Sequence, residues 1–96
     1  MKTNKYDYLI VGAGFFGAVF AWYATQSNKT VCVLERRKHV GGNCYTRFDN
    51  GIYVHEYGPH IFHTSNEKIW NFVNKFAKFQ QYSHRVKAIN GNDVIS

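Results

Sequence analysis

The sequence has few of the residues that form disulfide scaffolds, metal centres or acid–base pairs. Its 96 residues include one proline, two cysteines and six acidic residues. Cys32 and Cys44 do not form a Cys-x-x-Cys pair, and neither paired carboxylates nor a Ser-His-Asp order can be argued. Cys32 falls in a predicted buried strand and is expected to act as a small apolar residue. With no credible signal peptide, we predict reduced cysteines and a cytoplasmic protein.

The longest apolar run, residues 8–24, is too short to cross a membrane as a helix. A spanning helix needs roughly 20 apolar residues, and three glycines in a helix interior would cost about 2–3 kcal/mol. Lys2 and Lys5 precede the run as they would in a secretory signal, but Asp7 interrupts its start. A signal would also leave the strand that follows unexplained. We therefore predict no membrane span.

What the sequence does contain is a strand, a glycine turn and a helix in immediate succession. Apolar residues 8–11 lead directly into a Gly-x-Gly-x-x-Gly turn. Gly12 permits the tight turn, Gly14 lets a pyrophosphate approach the backbone, and Gly17 lets the helix pack close to the strand. The amides at the helix start, with the helix dipole, favour an anion. This order predicts a dinucleotide site.

The elements around the turn predict a right-handed βαβ unit with parallel strands. We place the first strand at residues 6–11, buried on both faces, the helix at 15–27 and the second strand at 30–35. Glu35 ends the second strand eighteen positions after Gly17. An acidic residue at that place is the expected partner for the hydroxyls of an adenosine ribose.

The chain is basic, with a formal net charge of +6. Its basic residues are scattered apart from Arg36-Arg37-Lys38, which lies where a phosphorylated cofactor is already expected, so we predict no nucleic-acid partner. The length suffices for one small domain but not for a dinucleotide fold with an additional substrate domain.

A second glycine pair and a predicted hairpin follow the βαβ unit. Gly41-Gly42 predicts either a structural turn or a close backbone approach to a ligand. Residues 45–55 predict a β-hairpin around the glycine turn Asp49-Asn50-Gly51. Both features are additions to the dinucleotide fold.

The second half of the chain is predicted to contain a loop, an amphipathic helix and a second hairpin. Thr64 and Glu67 have the spacing of a capping box, and the aromatic residues after them recur at helical spacing, so we expect them in a core. The last hairpin has only the start of its second strand, which predicts that residues 1–96 are the N-terminal portion of a longer protein. The predicted bounds are 58–64 for the loop, 79–89 for the strand, 90–93 for the turn and 94–96 for the start of the partner strand.

Three histidines, His55, His60 and His63, are close together in the sequence. No cysteine or carboxylate set completes a recognisable ligand pattern around them, so we predict no metal site. A role for His60 or His63 as a hydrogen-bond donor or stacking partner beside a cofactor ring stays open.

Four segments, in order and spacing, resemble UDP-galactopyranose mutase. The Glu-x-Arg segment with Gly-Gly is shared with amine oxidases and other flavoproteins, whereas Gly58–Thr64 is more discriminating. The resemblance implies an α/β, Rossmann-like FAD-binding fold with a parallel βαβ core and β-hairpin additions. The matching segments are Tyr6–Ala18, Glu35-Arg36-Arg37 with Gly41-Gly42-Asn43, Gly58-Pro59-His60-Ile61-Phe62-His63-Thr64, and Tyr82-Ser83-His84-Arg85-Val86.

The resemblance also implies an enzyme, an isomerase that interconverts UDP-galactopyranose and UDP-galactofuranose and supplies galactofuranose for cell-surface glycans. Its cofactor would be reduced FAD, whose N5 attacks the anomeric carbon without net redox change. The family's substrate-binding arginines, tyrosines and mobile loop have no counterpart in residues 1–96, so we expect this chain alone to be inactive. The full-length protein is a candidate homo-oligomer.

Positions that match the family imply the site residues. Glu35 would hold the adenosine ribose, and His60 and Ile61 would lie near the isoalloxazine. No catalytic residue is expected in this chain; His63 is a second candidate near the flavin, and His84 falls at a polar position near the substrate cleft. The implied cofactor-binding residues are Gly12, Gly14, Phe16, Gly17, Glu35, Arg36, Arg37, Gly42, Asn43, His60 and Ile61.

Two other functions stay open at this point. One is an FAD oxidoreductase similar to the amine oxidases, which share the Glu-x-Arg and Gly-Gly segments. The other is a nucleotide-binding module with no chemistry of its own. Conversion of the UDP-sugar by reduced flavin without net oxidation would exclude the first.

Overall fold

The computed structural model describes residues 5–95, which divide after Ile61 into two compact units. We call these the first and the second unit and describe each by itself. Lys2, which the signal-peptide interpretation used, and Ser96, predicted at the end of the last strand, lie outside the described residues.

The first unit begins with the predicted βαβ arrangement, which is confirmed. Strand β1 is Tyr8–Val11, helix α1 is Phe15–Gln26 and strand β2 is Val31–Leu34. The two strands pair in parallel, with Tyr8 opposite Val31 and Val11 opposite Leu34. A parallel pair needs a crossover connection, which α1 supplies by packing against both strands.

An unpredicted pair of polar residues fastens the starts of the two strands. The Asp7 carboxylate accepts hydrogen bonds from the Thr30 amide at 2.7 Å and from the Thr30 hydroxyl at 2.9 Å. These bonds, the amide one first, hold the pKa of Asp7 below its ordinary value of 3.8. The Asp7 amide in turn donates to the Thr30 carbonyl at 2.9 Å.

The prediction that β1 is buried on both faces is wrong for the described residues. Val11 is 81% exposed and Leu9 is 63% exposed. Within the described residues β1 pairs only with β2, so neither the far edge of β1 nor the face away from α1 is covered. The buried positions are Ala13, Gly17 and Ala24, where small residues let the helix approach the strands.

The predicted first hairpin is confirmed and follows a short 3₁₀ turn, Gly42–Cys44. Strand β3, Thr46–Asp49, pairs antiparallel with strand β4, Ile52–His55. The turn residues Asn50 and Gly51 have φ of 48° and 84°. Two positive φ angles in a two-residue turn match the twist of the strands they join, which is why Asn-Gly is favoured there.

The second unit contains the predicted helix, but its cap differs from the predicted one. Helix α2 is Glu67–Val73, and its N-cap is Asn66, whose side chain accepts from the amides of Lys68 and Ile69. The Thr64 hydroxyl instead accepts from the Asn66 amide at 3.1 Å. The capping box of Thr64 with Glu67 is therefore wrong, because Asn66 satisfies the first amides itself.

Two further predictions for the second unit are wrong. The strand predicted at 79–89 is confined to β5, Ala88–Asn90, which pairs with β6, Asp93–Ile95. Residues 78–87 have no partner strand among the described residues, and a strand without a partner has no ladder to hold it. The aromatic residues of α2 are also not in a core, since no described residue of this unit is buried.

No helix in the described part of the chain is long and apolar enough to span a membrane.

Candidate dinucleotide site

The loop between β1 and α1 has the geometry that its first and third glycines require. Gly12 has φ of 100°, which L side chains rarely adopt, and its amide donates to the Leu34 carbonyl at 2.7 Å. A Cβ atom on Gly17 would lie 2.2 Å from the Gly12 carbonyl oxygen and 3.1 Å from Ile10 Cγ2. Gly12 and Gly17 are therefore needed by the protein itself.

Gly14 differs, because the protein leaves space for a side chain there. Its φ of −78° and ψ of −174° suit any residue, and an added Cβ would meet only Gly42 Cα, at 3.9 Å. Helix α1 begins directly afterwards with no side-chain cap and no acidic residue in its first turn. Its first amides, which have no intrahelical acceptor, remain suited to an anion. The residues present therefore fit a pyrophosphate.

The second glycine pair lies against the first glycine loop. The Gly41 amide donates to the Ala13 carbonyl at 2.8 Å. A Cβ atom on Gly42 would come within 3.0 Å of Gly14 Cα. The close backbone approach predicted for this pair is therefore made to the other glycine loop, and a contact of Gly42 with a ligand stays a prediction.

The carboxylate of Glu35 joins the end of β2 to the same loop. It accepts from the Ala13 amide at 2.7 Å and from the Arg37 amide at 2.8 Å. These two bonds, Arg37 first, hold the pKa of Glu35 below its ordinary value of 4.5, so its charge is in place at neutral pH. Each oxygen keeps a further lone pair for a hydroxyl group. Binding of a ribose by Glu35 stays a prediction.

The bond between Glu35 and Ala13 was missed in the sequence. Ala13 is the unspecified residue of Gly-x-Gly, and nothing in its side chain marks its backbone as a partner. Both polar backbone atoms of Ala13 are in fact engaged, the amide by Glu35 and the carbonyl by Gly41. The motif shows only which positions must be glycine.

The structure brings several predicted site residues together and leaves others apart. Arg37 Nη2 donates to Asn43 Oδ1 at 2.9 Å. Phe16 is in the first turn of α1 and is 86% exposed, and Arg36 is also exposed. The residues that share the loop region are Gly12, Gly14, Gly17, Glu35, Arg37, Gly42 and Asn43.

The predicted flavin and substrate contacts stay predictions. His60 Nδ1 lies 2.8 Å from the Gly58 carbonyl oxygen, and Ile61 is 50% exposed. His63 and His84 belong to the second unit, where the Tyr82 hydroxyl lies 3.2 Å from His84 Nδ1. No group of three or more metal-binding side chains occurs in residues 5–95.

Replacing Glu35 should release the first glycine loop and weaken dinucleotide binding. Because the folded pKa of Glu35 is lowered, its bonds are complete at pH 4.5 and above and are lost as the pH falls through the lower folded value. The Ala13 amide resonance, followed by NMR in a pH titration, should report this loss. Glu35→Ala should weaken dinucleotide affinity about ten- to hundredfold, since a charge-assisted contact is removed.

The matched control is Glu67→Gln, which changes a carboxylate in the other unit. In Glu35→Gln the acid titration of the Ala13 amide should disappear, whereas in Glu67→Gln it should persist. An Ala13 titration that is identical in Glu35→Gln would contradict the assignment of Glu35 as its partner.

Comparison with known proteins shows which family and which relatives this chain is similar to. Residues 10–76 match the family model described as an NAD(P)-binding Rossmann-like domain. A dTDP-fucopyranose mutase of Escherichia coli is 55% identical over 82 residues, 83% of this chain and 22% of that protein. A probable UDP-galactopyranose mutase of Klebsiella pneumoniae is 46% identical over 97% of this chain and 25% of its own length. The UDP-galactopyranose mutase of Mycoplasma genitalium is 47% identical over 90% of this chain and 22% of its own length. The chain thus spans about a quarter of the length of these relatives.

Proposed function

This chain belongs to the family of NAD(P)-binding Rossmann-like domains, and from that membership and its named relatives we propose that it is the FAD-binding segment of a UDP-galactopyranose mutase. The resemblance found in the sequence is confirmed by relatives of that name. A flavin or other dinucleotide cofactor follows from the family and these relatives. That the cofactor is FAD, and that the substrates are UDP-galactopyranose and UDP-galactofuranose, is the proposal.

The observation that carries the proposal is the unfilled space at Gly14. The fold requires glycine at positions 12 and 17 but not at 14, where a Cβ would meet no atom closer than 3.9 Å. A bound pyrophosphate accounts for a glycine that the protein alone does not need. The α1 amides on one side and the Glu35 carboxylate, bonded to Ala13, on the other then fit the two parts of an ADP group.

The residues of this chain would bind and orient the cofactor rather than react. The α1 amides would hold the pyrophosphate and Glu35 the ribose hydroxyls, with Arg37 and Asn43 beside them. Reduced FAD, when bound there, would supply a nucleophilic flavin nitrogen for reaction at the sugar's anomeric carbon. His60 and Ile61 would flank the flavin, with Phe16, Arg36 and His63 as further contacts. In the same proposal His84 contacts the UDP-sugar.

A second candidate substrate is a dTDP-sugar. The relative with 55% identity is named for dTDP-fucopyranose, while those named for UDP-galactopyranose are 45–47% identical. Both substrates are nucleoside-diphosphate sugars, so the same cofactor segment would serve either one. An oxidoreductase similar to the amine oxidases and a module without chemistry are the outcomes against which both mutase candidates are tested.

The test is a chimera in which this chain replaces the matching quarter of the Mycoplasma genitalium UDP-galactopyranose mutase. We expect the chimera to purify with FAD and, once reduced by dithionite, to convert UDP-galactofuranose to UDP-galactopyranose. Chromatography of the nucleotide sugars measures turnover, and dTDP-fucopyranose is assayed in parallel. The same mutase with the segment deleted is the control.

Three outcomes of the chimera would contradict the proposal. A chimera that folds but purifies without flavin would show that this chain is not an FAD-binding segment. Retention of flavin without isomerisation of either sugar would favour a module without chemistry. Turnover that requires an oxidant in proportion to product would favour the oxidoreductase.

A further inference from the structure

Tyr57 lies beside the candidate cofactor site although no motif assigns it a role. It follows β4 by two residues and is 42% exposed. The guanidinium carbon of Arg37 lies 4.2 Å from the centre of the Tyr57 ring. At this distance the positive charge is attracted by the negative face of the ring. The segment after the hairpin therefore places the Tyr57 ring against Arg37, a predicted cofactor-site residue.

The Tyr57 ring is itself held by His39. Its hydroxyl is 2.8 Å from His39 Nε2, while His39 Nδ1 is 3.1 Å from the Val40 carbonyl oxygen. A carbonyl only accepts, so Nδ1 carries a proton and, in the neutral ring, Nε2 accepts from the Tyr57 hydroxyl. The His39 ring also stacks on Tyr45, with ring centres 3.8 Å apart and planes at 11°. These contacts fix the plane of the Tyr57 ring.

Arg37 is consequently held at three points. Its amide donates to Glu35, its Nη2 donates to Asn43, and its guanidinium lies over Tyr57. A free arginine side chain loses rotamer entropy when it is fixed. An arginine that is already fixed in the free protein loses less of that freedom when an anion binds. The arrangement therefore favours binding of an anionic ligand.

We propose that Tyr57 and His39 are positioning residues that fix Arg37 at the cofactor site before FAD binds. The inference rests on the proposed function and adds the β3–β4 hairpin to the parts of the fold that determine cofactor affinity. In this proposal the His39–Tyr45 stack fixes His39, which in turn holds the Tyr57 ring against Arg37.

The test introduces the variants into the chimera with the Mycoplasma genitalium mutase and measures FAD affinity by flavin fluorescence, at low and at high salt. Tyr57→Leu removes the ring and should weaken FAD binding about two- to fivefold, the range for an exposed cation–π contact. Tyr57→Phe keeps the ring and loses only the hydroxyl, so its loss should be smaller. The salt dependence of affinity should fall in Tyr57→Leu, because a mobile Arg37 contributes less of its charge. Tyr53→Leu, on the same hairpin and 73% exposed, is the matched control and should bind FAD as the unaltered chimera does.

A double-mutant cycle with Arg37→Met distinguishes positioning from a general structural role. If Tyr57 acts through Arg37, then Tyr57→Leu should cost little further affinity once Arg37 is replaced. Additive losses, or an unchanged salt dependence in Tyr57→Leu, would overturn the inference while leaving the proposed function intact. No FAD binding by the unaltered chimera would overturn the proposed function, and the inference with it.

Discussion

Replacing Gly14 with valine is expected to abolish FAD binding while the βαβ unit stays folded. The nearest atom to an added Cβ is Gly42 Cα at 3.9 Å, an ordinary contact, so the protein tolerates the first atom of the side chain. The same atoms would occupy the space proposed for the pyrophosphate and remove its contact with the backbone. Titration calorimetry with FAD and circular dichroism of the same sample measure the two properties.

Two further variants make the Gly14 result specific. Gly17→Ala should lose both FAD binding and helical content, because its Cβ would lie 2.2 Å from the Gly12 carbonyl and the loop or the helix must move. Ala18→Val adds bulk at an exposed position of α1 and should leave binding nearly unchanged. Full FAD affinity in Gly14→Val would contradict the assignment of the pyrophosphate to this loop. Unfolding of Gly14→Val would show that the glycine serves the fold.

The second large effect is expected in activity, where residues 1–96 alone should show no turnover. Under the proposed function the described residues would provide only part of a site for adenosine and pyrophosphate, and no described residue of the second unit is buried. Helix α1 has a largely exposed apolar surface, which is formed by Phe15, Phe16, Phe20 and Tyr23. Nothing in such an arrangement encloses a flavin ring or excludes water from a reacting sugar.

The measurement is the rate with dithionite-reduced FAD and UDP-galactofuranose, followed by chromatography of the nucleotide sugars. Because enzymes accelerate reactions by about a millionfold or more, the chain alone should match a protein-free control while the chimera exceeds it by orders of magnitude. The chimera thus serves as the positive control for substrate and reductant. Turnover by the chain alone, above the protein-free rate, would show that residues 1–96 hold a complete site.

The sequence was sufficient where a structure depends on neighbouring residues. The βαβ unit follows from apolar runs and glycine spacing, and the first hairpin follows from Asn50-Gly51, a pair strongly preferred in turns with two positive φ angles. The α2 cap was misassigned because Thr64 and Asn66 are both good capping residues and only the backbone conformation decides between them. The residue types therefore limited the N-cap of α2 to two candidates but did not decide between them.

The sequence was insufficient where a structure depends on distant residues. The exposure of β1 is set by how many strands and helices cover it, which no local pattern encodes. The strand predicted at 79–89 failed for the same reason, since its alternation of residues finds no partner strand. The bond from Glu35 to Ala13 and the ring of Tyr57 under Arg37 each join residues about twenty positions apart. Such contacts are decided by tertiary packing.

The double engagement of Ala13 limits how the chain can change in length. The Glu35 carboxylate accepts from the Ala13 amide, and the Gly41 amide donates to the Ala13 carbonyl. The five residues between Glu35 and Gly41 must therefore bridge a fixed distance. An inserted or deleted residue in that bridge would detach one end and move Gly42 away from Gly14. The turn at Asn50-Gly51 has no such restriction, since it is exposed and Gly51 has open space around it. A tag, a reporter or an additional loop therefore belongs at the hairpin tip, while the bridge must keep its number of residues.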